Sequence, residues 1–251
     1  SLNSIVKKGV ETVGPQLTKV ETRLGGVSLA PWSGQGRLSE LFLGNPPGYK
    51  TPAAIKVGDI RVVVKPSSVI SDTVLVEEIE IQAPEITFEG SLSGNNLSKI
   101  LENLETASTG SAKPEPAGKS EKKFLVKELS IQGGKIHLSV TALGGRAMSV
   151  PLPELHLQNI GTGEGGVPAA ELVKQIMKPL LTSVTQAATE GLASLGKEVK
   201  QLGEDAKKAG QAATEQAGKA LKDVKDIGKG ATQQIDKAAK GLKDLFKKKP
   251  D

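Results

Sequence analysis

A six-residue pattern recurs through the first two thirds of the chain and limits how those segments can fold. It reads apolar, any residue, acid, apolar, any residue, apolar, and its acids are Glu40, Asp59, Glu78, Glu128 and Glu154. The first three acids follow one another at intervals of 19 residues, which suits one strand and one turn for each copy. Such repetition predicts a repeated supersecondary unit.

The pattern distributes its apolar residues over both faces of a regular strand. Residues at i and i+2 share a face, so Ile79 and Ile81 lie together while Val76 points away. A bulge or sharp coil at each acid would return the apolar residues to one face and bend the strand. The pattern therefore predicts a curled antiparallel sheet, apolar inside and polar outside. In the simpler alternative the strands are ordinary amphipathic ones and the acids merely face solvent.

Changes of periodicity divide the chain into parts, and together these predict the α+β class. Helical spacing covers both ends, Gly14-Pro15 is expected to end the first helix, and Pro179 is expected to kink or split a later one. The predicted parts are an N-terminal helix (1–18), β-groove repeats (19–104), a flexible linker or loop (105–122), further β-groove repeats (123–161), a closing helix (167–195) and an amphipathic helical tail (196–251).

The tail carries an apolar stripe with steps of three and four residues from Leu195 to Leu245. Its middle is mostly alanine, and its glycines each cost about 1 kcal/mol relative to alanine. We therefore expect a helix only where a partner, a second copy or a membrane covers the stripe. The composition resembles that of late-embryogenesis-abundant and apolipoprotein-like helices.

The end of the tail combines apolar and basic residues. It is either a seat on an anionic membrane or a solvated basic end. The membrane-surface candidates are Leu242, Leu245, Phe246, Lys247, Lys248 and Lys249.

The residue types present in the chain exclude several kinds of functional site. The chain has no cysteine, which excludes disulfides and thiolate sites. Its two histidines, His137 and His156, lie in alternating segments and are expected on a polar strand face, so no metal site is predicted. Gly-rich phosphate loops and nucleophile–base pairs are absent from the sequence, so we expect no catalytic residue, no cofactor and no enzyme. Lysines interleaved with acids, without an aromatic platform, argue against nucleic acid.

Several motifs resemble the bacterial AsmA-like family of repeating β-groove proteins. The most specific are NPPGY (45–49), APEITFE (83–89) and GNNLSKIL (94–101). The resemblance covers about residues 1–104 and 124–195. It implies a periplasmic or cell-envelope protein, with an inner-membrane anchor upstream of Ser1 and a groove that shields lipid acyl chains. Because the chain is short for a groove that bridges an envelope, we expect a shielding or tethering module.

The expected partners are a lipid or a membrane surface, and, through the tail, a second copy or an envelope protein. The alternative function is that of a structural or scaffolding protein that assembles through its long helix. The lipid-groove candidates are Leu41, Leu43, Ile60, Val62, Val64, Ile79, Ile81, Ile131, Leu155 and Leu157.

Overall fold

The structure is a computed structural model. It describes residues 1–91, 94–109, 121–140, 148–163 and 165–247. At residues 140, 199 and 223–247 only the backbone is described. The chain forms two compact units, residues 1–192 and 193–251. The fold is α+β, as predicted, with an N-terminal helix, an open sheet and a long C-terminal helix.

The described residues contain three helices and twelve strands. The helices are α1 (Leu2–Thr18), α2 (Asn96–Thr109) and α3 (Ala169–Lys247), with a 3-10 turn at Pro66–Ser68. The strands are β1 (Thr22–Arg23), β2 (Gly26–Ala30), β3 (Gln35–Gly44), β4 (Ala53–Val64), β5 (Thr73–Gln82), β6 (Glu85–Ser91), β7 (Gly94–Asn95), β8 (Lys123–Gln132), β9 (Lys135–Val140), β10 (Met148–Pro151), β11 (Leu155–Ile160) and β12 (Val167–Pro168).

The strands form one sheet whose central order is β10-β9-β6-β4-β5-β8-β11, with β3 on β4 and β2 on β3. The sheet departs from the predicted antiparallel pattern at two junctions, because β5 runs parallel to β8 and β6 parallel to β9. Partners there are 50 residues apart, as in Val76↔Val126 and Ile86↔Ile136. Parallel neighbours need a connection that returns the chain to its starting end, and α2 lies within this one.

The predicted irregularity at the acid is found in two copies of the pattern. Glu40 has φ 52°, and the β4–β5 register slips where Val63 pairs with Glu78 and Val64 with Val76, as at a bulge. The apolar residues three apart in β4 and β8 are buried, which keeps one face apolar: Val57 with Ile60, and Val126 with Leu129. The register through Asp59 and Glu128 is continuous, so a bend at these two acids stays a prediction.

The last copy of the pattern behaves differently, and the prediction of a bend at Glu154 is wrong. Glu154 precedes β11, and the irregular residue of that strand is Asn159, with φ 55°. In β3, by contrast, the residue with positive φ is the acid itself, Glu40, with φ 52°. The position of the irregularity therefore differs between these two copies.

Two predicted helix limits and one linker need correction. Helix α1 continues through Gly14-Pro15 and ends where Lys19 adopts φ 58° and donates its N–H to the Pro15 carbonyl. Residues 105–109, assigned to a linker, belong to α2, whereas 110–120 lie outside the described residues. The closing helix begins at Ala169, because residues 167–168 pair with β8 instead, and it continues through Pro179.

Helices α2 and α3 supply much of the core of the first unit. Leu97, Ile100 and Leu104 of α2 are fully buried, as is Val184 of α3. An exposed ion pair, Lys178–Glu105 at 3.1 Å, also connects α3 to α2. At the other end of this segment Gly191 leaves no room for a side chain, because a Cβ there would lie 2.6 Å from Val150 Cγ1.

The second unit, residues 193–251, is helical as far as Lys247. Every side chain described between residues 200 and 222 is exposed, and Leu202 and Leu221 are 67% and 71% exposed. The apolar stripe of the tail is therefore open to solvent over these residues. The expectation that the isolated tail needs a cover to stay helical remains a prediction.

Candidate functional site

An apolar cavity of about 480 Å³ lies at the end of the sheet where β2 turns into β3 and β4 into β5. Its walls come from α1, from strands β2 to β5, from β8 and from two connections. The lining residues are Leu2, Val6, Leu29, Ala30, Pro31, Gly34, Gln35, Gly36, Leu38, Val62, Val64, Pro66, Val69, Ile70, Val74, Val76 and Phe124.

The chemistry of this lining is uniform. Of these seventeen residues, all within the described part of the chain, Gln35 alone has a polar side chain and none is charged. A cavity without an ionisable side chain offers no general acid or base. Aliphatic walls of this kind favour a hydrocarbon ligand, because burial of each methylene group contributes about 0.8 kcal/mol.

Two connections border the cavity, the β2–β3 turn and the β4–β5 loop, and together they are called its mouth. The first is the β2–β3 turn, residues 31–34. Ser33 and Gly34 donate their N–H groups to the Ala30 carbonyl at 3.1 and 2.9 Å, which closes the turn. The carbonyl of Gly34 accepts the N–H of Val64 at 2.8 Å, which ties the turn to the end of β4. Gly34 has φ 73°, a conformation that glycine adopts without penalty.

The second connection is the β4–β5 loop, residues 65–72, and it is built around Ser68. The Ser68 hydroxyl donates to the Lys65 carbonyl at 2.7 Å and accepts the N–H of Leu75 at 2.9 Å. Lys122 donates from Nζ to the carbonyls of Val69 and Ser71. The loop is thus held at both ends by hydrogen bonds.

Both connections hold a large apolar side chain in solvent. Trp32 is 98% exposed and Ile70 is 90% exposed, although each stands in a segment with defined hydrogen bonds. Ile70 lines the mouth, and Trp32 follows the lining residue Pro31. Sequence reasoning missed both residues. The available signal was a bulky apolar residue inside the turn-forming stretches APWSGQ and PSSVISD.

The ten lipid-groove candidates fall on one face of the sheet but do not form one site. The register aligns Ile60, Ile81, Ile131 and Leu155 in one row across four strands. Ile60 and Ile131 are buried in the core, 6% and 2% exposed. Val62 and Val64 line the cavity. The candidates that are partly exposed and do not line it are Leu41, Leu43, Ile79, Ile81, Leu155 and Leu157.

Of the six membrane-surface candidates of the tail, four have only their backbone described and two lie outside the described residues. Leu242, Leu245, Phe246 and Lys247 belong to the helical backbone of α3. Lys248 and Lys249 lie outside the described residues. Within the described part of the chain, no helix has the length and apolarity needed to cross a membrane.

A buried polar network occupies the other end of β3 and joins the three motifs that carry the family resemblance. Asn96, fully buried, donates from Nδ2 to Asn45 Oδ1 at 2.7 Å and to the Thr87 carbonyl at 2.8 Å, and its Oδ1 accepts the N–H of Glu89 at 2.9 Å. Asn45 in turn donates to the Thr51 carbonyl at 2.7 Å. NPPGY, APEITFE and GNNLSKIL therefore meet in one structural joint.

Glu89 is the charged group of this network and is only 8% exposed. Its carboxylate accepts the N–H groups of Lys50 and Thr51 at 2.6 and 2.8 Å, and also the Thr51 hydroxyl. Burial alone would raise the pKa of Glu89, but these hydrogen bonds outweigh it and hold the pKa below its usual value. Through these three hydrogen bonds the carboxylate holds Lys50 and Thr51 of the loop 45–51 in place.

The lowered pKa of Glu89 predicts an acid-sensitive contribution to stability. A carboxylate with a depressed folded-state pKa stabilises the protein above its unfolded-state pKa, about 4.3. That stability is lost as the pH falls through the lower folded-state value. We expect Glu89→Gln to destabilise the protein at pH 7 and the difference from wild type to shrink toward pH 3. Urea unfolding across this range measures it.

The control is Glu85→Gln, at an exposed position of the same strand. It is expected to leave the stability at pH 7 nearly unchanged. A gap between wild type and Glu89→Gln that stays constant from pH 7 to the acid limit would contradict the role assigned to the charge.

Comparison with known proteins adds no relative to this geometry. No protein-family model matches the chain, and searches of curated proteins and of solved structures gave no match. The described residues also contain no cluster of three or more His, Cys, Asp or Glu that could hold a metal ion. The functional argument therefore rests on the cavity and its mouth.

Proposed function

We propose that this chain is a non-enzymatic cell-envelope protein that shields a lipid acyl chain in the cavity between α1 and strands β2 to β5. The observation that carries the proposal is the lining, in which sixteen of seventeen residues have no polar side chain. An acyl chain held there is shielded from water, and its polar headgroup can remain outside because the cavity opens at the mouth. The tail contributes no lining residue.

The resemblance to AsmA-like proteins supports the same proposal from the sequence. On this proposal the protein acts in the bacterial cell envelope, where phospholipid is available to the cavity. The start of α1 takes part in the site, because Leu2 lines the cavity.

Replacement of Val62 by glutamine is expected to weaken lipid retention strongly. The amide would enter a lining that offers almost no polar partner, and burial without a partner costs about 1–3 kcal/mol. The population of lipid-bound protein should fall by roughly tenfold or more. Native mass spectrometry of purified protein, loaded with phospholipid from detergent micelles, measures the bound fraction.

The matched control is Ile79→Gln. Ile79 is the register partner of Val62 on the same face, but it does not line the cavity. It should keep the lipid. Equal loss in both variants would indicate a site that extends over the whole face, and lipid-free wild type after loading would refute the proposal.

A scaffolding function is the second candidate, because the apolar stripe of the tail is exposed at Leu202. An exposed apolar stripe on a helix favours association with a second helix. The same mass spectra test this function. Oligomers that lose their association in Leu202→Ser and carry no lipid would favour the scaffold over the lipid cavity.

A further inference from the structure

We propose that the mouth of the cavity docks on the surface of a zwitterionic lipid bilayer through Trp32 and Ile70. The inference rests on the proposed function, because it assigns the place where the cavity takes up its lipid. It starts from the two most exposed large apolar side chains among the described residues of the first unit, at 98% and 90% exposure, which stand at the same end of the sheet.

The two side chains are presented by ordered segments on adjacent strands. The Val64 N–H to Gly34 carbonyl bond joins the β2–β3 turn to the end of β4, and the β4–β5 loop starts at the next residue. Lys122 and Ser68 hold that loop. Large apolar groups fixed in solvent lose less conformational entropy when a surface covers them than groups on a loose loop would.

The side chains at this end of the sheet favour a lipid bilayer as the partner. Tryptophan combines an apolar ring with an N–H donor and is enriched at the membrane–water interface. Ile70 continues directly into the apolar lining, so a docked mouth would join the hydrocarbon of the membrane to the cavity. An acyl chain could then enter without crossing water, which is the costly step for a lipid.

The charges at this end of the sheet are few and nearly balanced, which sets the type of bilayer. The β2–β3 turn has no charged residue. The β4–β5 loop has Lys65 and Asp72, and the neighbouring segment begins with Glu121, Lys122 and Lys123. Three cations against two anions leave a net charge of +1, which provides little attraction to an acidic surface. Docking is therefore driven by apolar insertion and should depend weakly on salt.

Trp32 is the single tryptophan of the chain, so its fluorescence reports this edge alone. Vesicles of phosphatidylcholine should shift its emission to the blue, and brominated phosphatidylcholine should quench it. The double variant Trp32→Ser/Ile70→Ser should lose co-sedimentation with these vesicles by at least about tenfold. Raising the salt concentration should change wild-type binding by less than about twofold.

The control variant is Val13→Ser, which removes an exposed apolar side chain of α1 that does not line the cavity and should bind vesicles like wild type. Unchanged Trp32 emission with vesicles, or wild-type sedimentation of the double variant, would overturn the proposal. So would a blue shift that appears on concentrating the protein without vesicles, since a second copy would then be the occupant.

Failure of docking and failure of the lipid cavity give different results. The double variant should still take up phospholipid from detergent micelles, whereas Val62→Gln should still dock on vesicles. If micelle loading works but wild type does not bind vesicles, the docking inference fails and the cavity stands. If wild type binds vesicles but holds no lipid after micelle loading, the proposed function fails.

Discussion

Gly34→Ala is expected to lower the free energy of unfolding by about 3 kcal/mol or more and to disturb the cavity mouth. Two effects combine. An L-residue at φ 73° costs about 1–2 kcal/mol. The added Cβ would also overlap the Val64 carbonyl oxygen and approach Pro66 Cδ to 3.2 Å. Since backbone cannot move aside like a flexible side chain, the turn must shift and lose its hydrogen bond from the Val64 N–H.

The control for this prediction is Gly48→Ala. Gly48 has φ 97°, but a Cβ there meets nothing within 4 Å, so only the conformational cost of about 1–2 kcal/mol is expected. Urea unfolding of the two variants separates the cost of the positive φ from the cost of the overlap between the added Cβ and its neighbours. Retention of phospholipid after micelle loading should fall in Gly34→Ala and persist in Gly48→Ala. Equal stability losses would show that the collision is absorbed elsewhere.

The bends of the sheet could be predicted because their cause is local. A strand has a period of two, so apolar residues three apart require an irregularity between them. Val57 with Ile60, and Val126 with Leu129, satisfy this rule with buried side chains. The rule does not give the position of the irregularity. In β3 the residue with positive φ is Glu40, at 52°, whereas in β11 it is Asn159, at 55°.

The parallel pairing and α2 were missed for a related reason. The segment from Asn96 to Leu104 has apolar residues at steps of three and four, with Leu97, Ile100 and Leu104 buried. A helix there returns the chain, so the copies at Val76 and Val126 lie side by side in the same direction. The sequence match between the copies was visible, but a match alone does not reveal the direction in which two strands run.

The position of the cavity could not be derived from a list of apolar strand residues. All ten candidates share a face, yet only Val62 and Val64 line the cavity, while Ile60 and Ile131 are buried. The lining also includes Leu2 and Val6 of α1, and the packing of a helix on a sheet is a long-range property that strand periodicity does not contain. Trp32 and Ile70 were passed over because turn residues carry no periodicity, so a pattern-based search gives them no weight.

Asn96→Ala is expected to be the most destabilising single change in the polar network, at roughly 3–5 kcal/mol. Alanine removes three hydrogen bonds at a position with 0% exposure. It leaves the Glu89 N–H, the Thr87 carbonyl and Asn45 Oδ1 without this partner. Each buried group without a partner costs about 1–3 kcal/mol, and a cavity of amide size adds to the loss.

The matched control is Asn103→Ala on the same helix. Asn103 is partly exposed and makes one side-chain hydrogen bond, from Nδ2 to the Thr18 carbonyl at 2.8 Å. Its loss should cost about 1 kcal/mol. Urea unfolding of both variants gives the comparison, and circular dichroism of the folded states shows whether α2 is retained. Asn95 and Ser98 cap α2 by exchanging hydrogen bonds between side chain and backbone, so the helix should still form.

A small effect of Asn96→Ala would have two explanations: water replaces the three lost hydrogen bonds, or the protein does not need them. Asn96→Leu distinguishes the two, because leucine fills the space and excludes water. If the network acts as a joint between the loop 45–51, β6 and α2, leucine should be at least as harmful as alanine, because it leaves the same groups unpaired in a drier site. A leucine variant as stable as wild type would show that packing, and not the three hydrogen bonds, fixes this end of the sheet.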